Sequence, residues 1–413
     1  MRQALARLAR GKVVLLAALG SLSLVAAFAG SSGAAQAHKA SAKPATWVIG
    51  NIGTYSGIND SNFVGGAQTL EAWALYTNAH GGLDGGHHIK VISMDDAGNA
   101  TTSENDVKQL VADHVLAIVG MNSGEDSTWD SYIESTGVPV IGGSTPLPDF
   151  ASNPDYFPVG ATANNSVPDL LLYAKNVLHQ TVGGYLGCEE APVCAALENV
   201  YAGAYKAIGG TLAYNTLFSS SAPSYTSQCL AAQSAGVQDL EIIGPAFVIP
   251  KIAQSCQAQN YSPTLLLNDV VLTPALATQI SSANAVFGAD SFPFTATSGA
   301  PGVKQFLAAL HKYEPGVLNS MTFTQDDADT WASGQLFAAA AKAGKLGNHP
   351  TSAEVKAGLY KLHNDTLGGL TPPLTFNKGM PNSINCIYIM QIKSGKLSLP
   401  QGLKTYCPTV PTS

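Results

Sequence analysis

Charge is scarce in this chain. Asp, Glu, Lys and Arg make up 12% of 413 residues, against 46% hydrophobic residues. That balance, with 41 glycines, excludes a disordered chain and fits a compact α/β protein long enough for two domains. Catalytic signatures are missing too. There is no G-x-S-x-G elbow, because Ser123 lies in G-M-N-S-G and Ser56 in G-T-Y-S-G, both with the wrong spacing. There is no phosphate loop, no G-x-G-x-x-G and no H-E-x-x-H. An enzyme would need a nucleophile–base–orienter set, and none stands out. No cofactor motif is present either.

Long apolar runs are absent beyond the N-terminus. There, Arg2, Arg7, Arg10 and Lys12 precede the run Val13 to Ala29, and Ala35-Gln36-Ala37 forms an A-x-A site. Residues 1–37 are therefore expected to be a signal peptide and 38–45 a linker. A retained membrane anchor is the competing reading. No cysteine lies near the cleavage site for lipid attachment, and there is no twin-arginine pair. Cleavage would leave 17 basic against 28 acidic residues, a net charge of −11. An acidic surface of that size disfavours nucleic acid and anionic membranes.

Six cysteines in an exported chain read as disulfides. Fifteen pairings are possible, and sequence proximity favours Cys188–Cys194, Cys229–Cys256 and Cys386–Cys407. Without a C-x-x-C or a nearby His set, they do not read as metal ligands. His87-His88 falls in a Gly-rich turn and reads as solvated, with metal binding as the alternative. The run Asp326 to Asp329 reads as the negatively charged first turn of a helix, with calcium ligation as the alternative. Asp95-Asp96 ends a strand and is expected to cap the next turn.

Along the chain, apolar strands alternate with amphipathic helices. Trp47, Ile49 and Ile52 mark a strand ending at the loop Thr54 to Gly57. Gly65 to Asn78 is a helix, His88 to Met94 a strand, and Thr101 to Asp113 a helix. Ala117 to Val119 and Val138 to Ile141 are buried strands around a helix expected over Glu125 to Thr136. The pattern restarts with strands at Gly183 to Leu186, Thr211 to Phe218, Asp239 to Gly244 and Thr264 to Leu267. The helices between them span Pro192 to Ile208, Ser224 to Ala235 and Val248 to Gln259. Helices near Val303–Tyr313, Ala328–Ala343 and Ser352–Lys361 follow, and Asn385 to Ile392 alternates before a KSGK turn. Two successive βα blocks predict two Rossmann-like lobes of parallel sheet with flanking helices.

In such sheets, ligands bind at the carboxyl ends of the strands. Ser123-Gly124 sits between one strand end and a helix start, and Ser144-Thr145 lies just past the next strand. Free helix-start N–H groups beside small hydroxyl residues suit a carboxylate or another anion. The competing reading makes Ser123 a helix cap and Ser144-Thr145 an ordinary loop.

Several stretches carry a resemblance. IGNIGTYSG (Ile49 to Gly57) is followed by GGAQTLEAWALYTNAHGGLDGG. Then come IKVISMDDAGNATTSENDVKQLVADHVLAIVG (Ile89 to Gly120) and GVPVIGGSTP (Gly137 to Pro146). In this order the chain resembles the type I periplasmic solute-binding proteins of ABC transporters, the leucine/isoleucine/valine-binding group. The resemblance implies two lobes with ligand closed between them and three crossings, near Gly160–Ala163, Ser291–Thr295 and Phe376–Pro381. Lobe I would comprise 46–161 plus 294–377, and lobe II 162–293 plus 378–413.

The resemblance also implies ligand contacts. Ser123, Gly124, Ser144 and Thr145 would take a carboxylate and an ammonium group. Thr54 to Gly57 would be a cleft loop and Phe63 an aromatic wall. On lobe two, Phe247 and the Asn268-Asp269 pair would complete the site. The expected partners are a small polar ligand (an amino acid, an amide or a related compound) and an ABC permease, for a monomeric, non-enzymatic exported protein. The alternative is a ligand-sensing ectodomain of the same fold. The chain lacks a Tyr-Gly pair at Glu189 to Cys194, is shortened after Ser56, and has Gly142-Gly143 in place of a Ser-Pro-type turn. Amides, other amino acids, short peptides and aromatic acids therefore stay open as ligands.

Overall fold

A computed structural model describes residues 43–57, 63–273, 275–294, 301–320 and 322–409. The expected signal peptide, most of the linker and Thr295 of the second crossing lie outside them. The first five strands are β1 (Trp47–Gly53), β2 (Ile89–Asp95), β3 (Ile118–Met121), β4 (Val140–Gly143) and β5 (Tyr156–Phe157). They pair in the order β2-β1-β3-β4-β5, all parallel. Then come β6 (Val182–Cys188), β7 (Thr211–Phe218), β8 (Asp239–Ile243), β9 (Thr264–Asn268), β10 (Asn284–Ala289), β11 (Tyr388–Lys393) and β12 (Lys396–Ser398). Their order is β12-β11-β10-β9-β8-β6-β7. This second sheet is parallel except where β11 pairs antiparallel with β10 and with β12.

Burial follows from strand position. Six of the seven β1 residues are buried, whereas edge strands β2 and β7 alternate toward solvent. Central parallel strands are covered by helices on both faces and lose their alternation. Helix Gly66–Ala79 packs Trp73 edge-on against Phe337 of helix Gln325–Gly344. That long helix also lies on β3 and β4, so residues from the third block cover the first sheet. Helix Ala163–Tyr173 packs on β10 and on helix Pro192–Ala207, with the second sheet. The chain thus passes between the sheets three times: after β5, after β10 and before β11. The product is a two-lobed mixed α/β fold dominated by parallel sheet.

Most expected elements stand within a few residues of their predicted bounds, and the exceptions have local causes. The helix expected over Glu125 to Thr136 is split into a 3-10 turn (Asp126–Thr128) and a helix (Asp130–Thr136). At the break, buried Trp129 donates from its indole Nε1 to Ser103 Oγ at 2.9 Å. Likewise, a 3-10 turn (Ala246–Val248) precedes helix Ile249–Gln257. His87 is not solvated: it is 7% exposed, stacks on Trp47 at 4.4 Å and bonds the Ala45 carbonyl through Nδ1. All three proximal cysteine pairs are bonded.

Candidate functional site

Parallel pairing brings the carboxyl ends of β1 to β4 to one sheet edge. There the strand-end loops hold each other through two carboxylates. Asp96 is buried and accepts from Thr54 Oγ1 at 2.8 Å, from the Gly98 N–H at 2.9 Å and from Ser123 Oγ. Asp95 accepts from the backbone N–H groups of Tyr55, Ser56 and Ala97. Burial pushes the Asp95 carboxyl up, but these hydrogen bonds outweigh it and hold the group below its ordinary range. Both aspartates cap turns at the end of their strand, as expected.

Strand β4 ends in a sharp bend. Gly143 has φ +115°, and a Cβ there would meet the Met121 carbonyl oxygen at 2.0 Å. The missing side chain lets the Ser144 N–H reach that same oxygen at 2.9 Å. Ser144 is 4% exposed, and its hydroxyl carries no hydrogen bond among the described residues.

One cleft is lined from both sheets and measures about 790 Å³, counted with the part open to solvent. The first sheet contributes Thr54, Phe63, Gly98, Gly124, Glu125, Ser144, Pro146 and Leu147. The second contributes the Cys188–Cys194 disulfide, Ala191, Val193, Leu197, Ile243, Gly244, Pro245, Asn268 and Val270. The walls are therefore mostly apolar. Glu125 is half-buried, and burial, reinforced by the Asp96 charge, raises its carboxyl above the ordinary value.

Of the residues predicted from sequence, Thr54, Gly124, Ser144, Asn268 and Phe63 are brought together on this cleft. Four others are placed elsewhere. Ser123 is fully buried, donating to Asp96 and accepting from the Glu125 N–H at 3.1 Å, so it caps a turn. Thr145 Oγ1 donates to Asp290 Oδ2 at 2.8 Å. Phe247 is 44% exposed, with the Lys251 ammonium 5.4 Å from its ring centroid. Asp269 accepts from the Asp290 N–H at 3.0 Å, away from the cleft lining.

Asp269 belongs to a buried acidic group between the sheets, with Asp290, Asp326 and Asp329. Burial pushes the Asp269 carboxyl up to about 7, and burial with the neighbouring negative charges raises the other three well above their ordinary value. The Asp326–Asp329 run does start helix Gln325–Gly344, where Thr324 and Asp327 form a capping box. No group of three or more His, Cys, Asp or Glu with metal-holding geometry occurs among the described residues.

Sequence reasoning missed Glu125, Leu147, Val193, Leu197 and Val270. The usable signal was position: each lies within a turn or two of a strand's carboxyl end.

The fold agrees with known proteins. The periplasmic binding protein family matches residues 46–396, and the chain belongs to it. Its members are solute-binding components of ABC transporters, which implies an extracytoplasmic location. Among the described residues no helix is long and apolar enough to cross a membrane. Solved structures show the same architecture. A branched-chain amino acid ABC transporter protein from Thermus thermophilus, with bound valine, is 14% identical with a TM-score of 0.76, covering 88% of this chain and 97% of its own. A branched-chain amino acid transporter substrate-binding protein from Streptococcus pneumoniae, in complex with isoleucine, is 18% identical with a TM-score of 0.70, over 88% and 99%. A fatty acid ABC transporter substrate-binding protein from Thermomonospora curvata is 14% identical with a TM-score of 0.73, over 89% and 93%. At these identities the likeness carries the fold alone. No curated protein matches the chain by sequence.

Proposed function

We propose that this exported protein captures a small ligand between its lobes and delivers it to an ABC permease, acting as a monomer without catalysis. Lobe I is 46–161 plus 294–377, and lobe II is 162–293 plus 378–413. The observation that supports this most is the cleft lined by strand-end loops of both sheets. Thr54, Gly124, Ser144 and Asn268 are its polar contacts, and Ser144 is the lining hydroxyl with spare bonding capacity. Ligand would dock on one lobe, and its extra contacts with the other would shift the equilibrium toward closure. Ligands with an apolar body and a polar head suit these walls.

A thermal-shift panel of amino acids, amides and organic acids tests the reading. Ligand at one hundred times its dissociation constant should add about 2.7 kcal/mol of stability. Ser144→Ala should weaken the best ligand by about 1 kcal/mol or more, the value of a buried hydrogen bond. A flat panel contradicts capture, and unchanged affinity removes Ser144 from the site.

A further inference from the structure

We infer that the cleft is built for an amphipathic amine, an apolar body carrying one ammonium group, with that group set against Glu125. The inference rests on the capture reading above. The apolar walls come from both sheets, with Phe63 and Leu147 from the first and Leu197, Ile243 and Val270 from the second. Glu125 is the one ionisable group among the described lining residues. Its carboxylate has neither an ion-pair nor a hydrogen-bond partner among the described residues.

No lysine or arginine is among the described residues that line the cleft. The charges behind the wall have the same sign as Glu125. Asp96 raises the Glu125 carboxyl, and together with Asp95 it raises that of Asp106. On the neighbouring helix Ala100–Ala112, Lys108 is spent on Glu104 at 2.6 Å.

A carboxylate entering this space would lose its hydration and meet no cation. Most hydroxyls near that space are already committed, and among the described lining residues Ser144 alone keeps its hydroxyl available. Thr54 and Ser123 donate to Asp96, and Thr145 donates to Asp290. An ammonium group brings three donors and needs acceptors. The lining side chains with spare acceptor capacity are Glu125, Ser144 and Asn268. The site therefore favours a positive head over a negative or zwitterionic one.

Calorimetric titration of the full secreted chain with two matched series tests this. One series is 4-methylpentylamine, 4-methylpentan-1-ol, 4-methylpentanoate and leucine. The other is phenethylamine, 2-phenylethanol, phenylacetate and phenylalanine. In at least one series the amine should bind tenfold or more tighter than its alcohol, with the acid and amino acid weaker than the alcohol. Glu125→Gln should erase the amine's advantage over its alcohol. An acid or amino acid that outbinds its amine overturns the inference while capture stands, and so does an amine no tighter than its alcohol. If neither series binds but other acids or amides do, the amine inference alone falls. If nothing in the series or the wider panel binds, the capture reading falls with it.

Discussion

Replacing Asp169 with asparagine should make the protein more stable at pH 8 and leave it nearly unchanged at pH 4. Asp169 lies in helix Ala163–Tyr173, is 0% exposed, and neither carboxylate oxygen has a hydrogen-bond partner among the described residues. Burial pushes its carboxyl up from 3.8 to about 8. Between those values the folded state keeps a proton that the unfolded state has released. Its contribution to stability is thus complete below the unfolded value and is lost as pH rises toward the folded one. Each unit of difference corresponds to about 1.4 kcal/mol, so the four-unit window sets a ceiling of about 6 kcal/mol. Relaxation and water entry lower such penalties in real proteins, so a gain of about 2–3 kcal/mol at pH 8 is expected. The asparagine side chain keeps the shape and carries no charge at any of these pH values. Urea unfolding of both proteins at pH 4, 5, 6, 7 and 8 would give the difference at each pH. A difference that does not grow with pH, or an asparagine variant that is less stable at pH 8, would refute the reasoning.

Two further predictions concern packing and cross-links. Gly358 in helix Ser352–Leu359 lies where a Cβ would meet the Ala340 carbonyl oxygen at 2.0 Å. Gly358→Ala should therefore cost about 1–3 kcal/mol or more in a denaturation midpoint, despite alanine's helix preference of about 1 kcal/mol; a stabilised variant would contradict the close helix approach. The Cys229–Cys256 bond joins helices Thr226–Ser234 and Ile249–Gln257 across 27 positions of sequence. Loop entropy for such a span is about 3.5 kcal/mol, so the double serine variant should lose about 2–4 kcal/mol in urea unfolding, and no loss would deny the bond a stabilising role.

The βα alternation was legible because each helix and strand carries its own apolar period. Strand β10 (NAVFGA) was not, because its small residues are marked as a strand only by pairing with β9 and β11. Helix Ala163–Tyr173 was hidden by an interior Pro168, which reads as a helix breaker, and by the run Asn164-Asn165-Ser166. The same limit applies at the cleft. Strand-end position put Thr54, Gly124, Ser144 and Asn268 on the cleft lining. What Ser123 and Thr145 do there depends on carboxylates 27 and 145 positions away. Asp269 looked like an ammonium partner, yet it packs in the acidic group between the sheets, and only the three-dimensional crossing brings Asp290 and Asp329 to it.

The central claim is that two lobes close on one ligand. Small-angle X-ray scattering, with and without the tightest ligand from the calorimetric series, tests it most directly. The account predicts a smaller radius of gyration at saturation and partial loss of that change in Ser144→Ala at the same ligand concentration. A ligand that saturates the protein by calorimetry and leaves the scattering profile unchanged would contradict it.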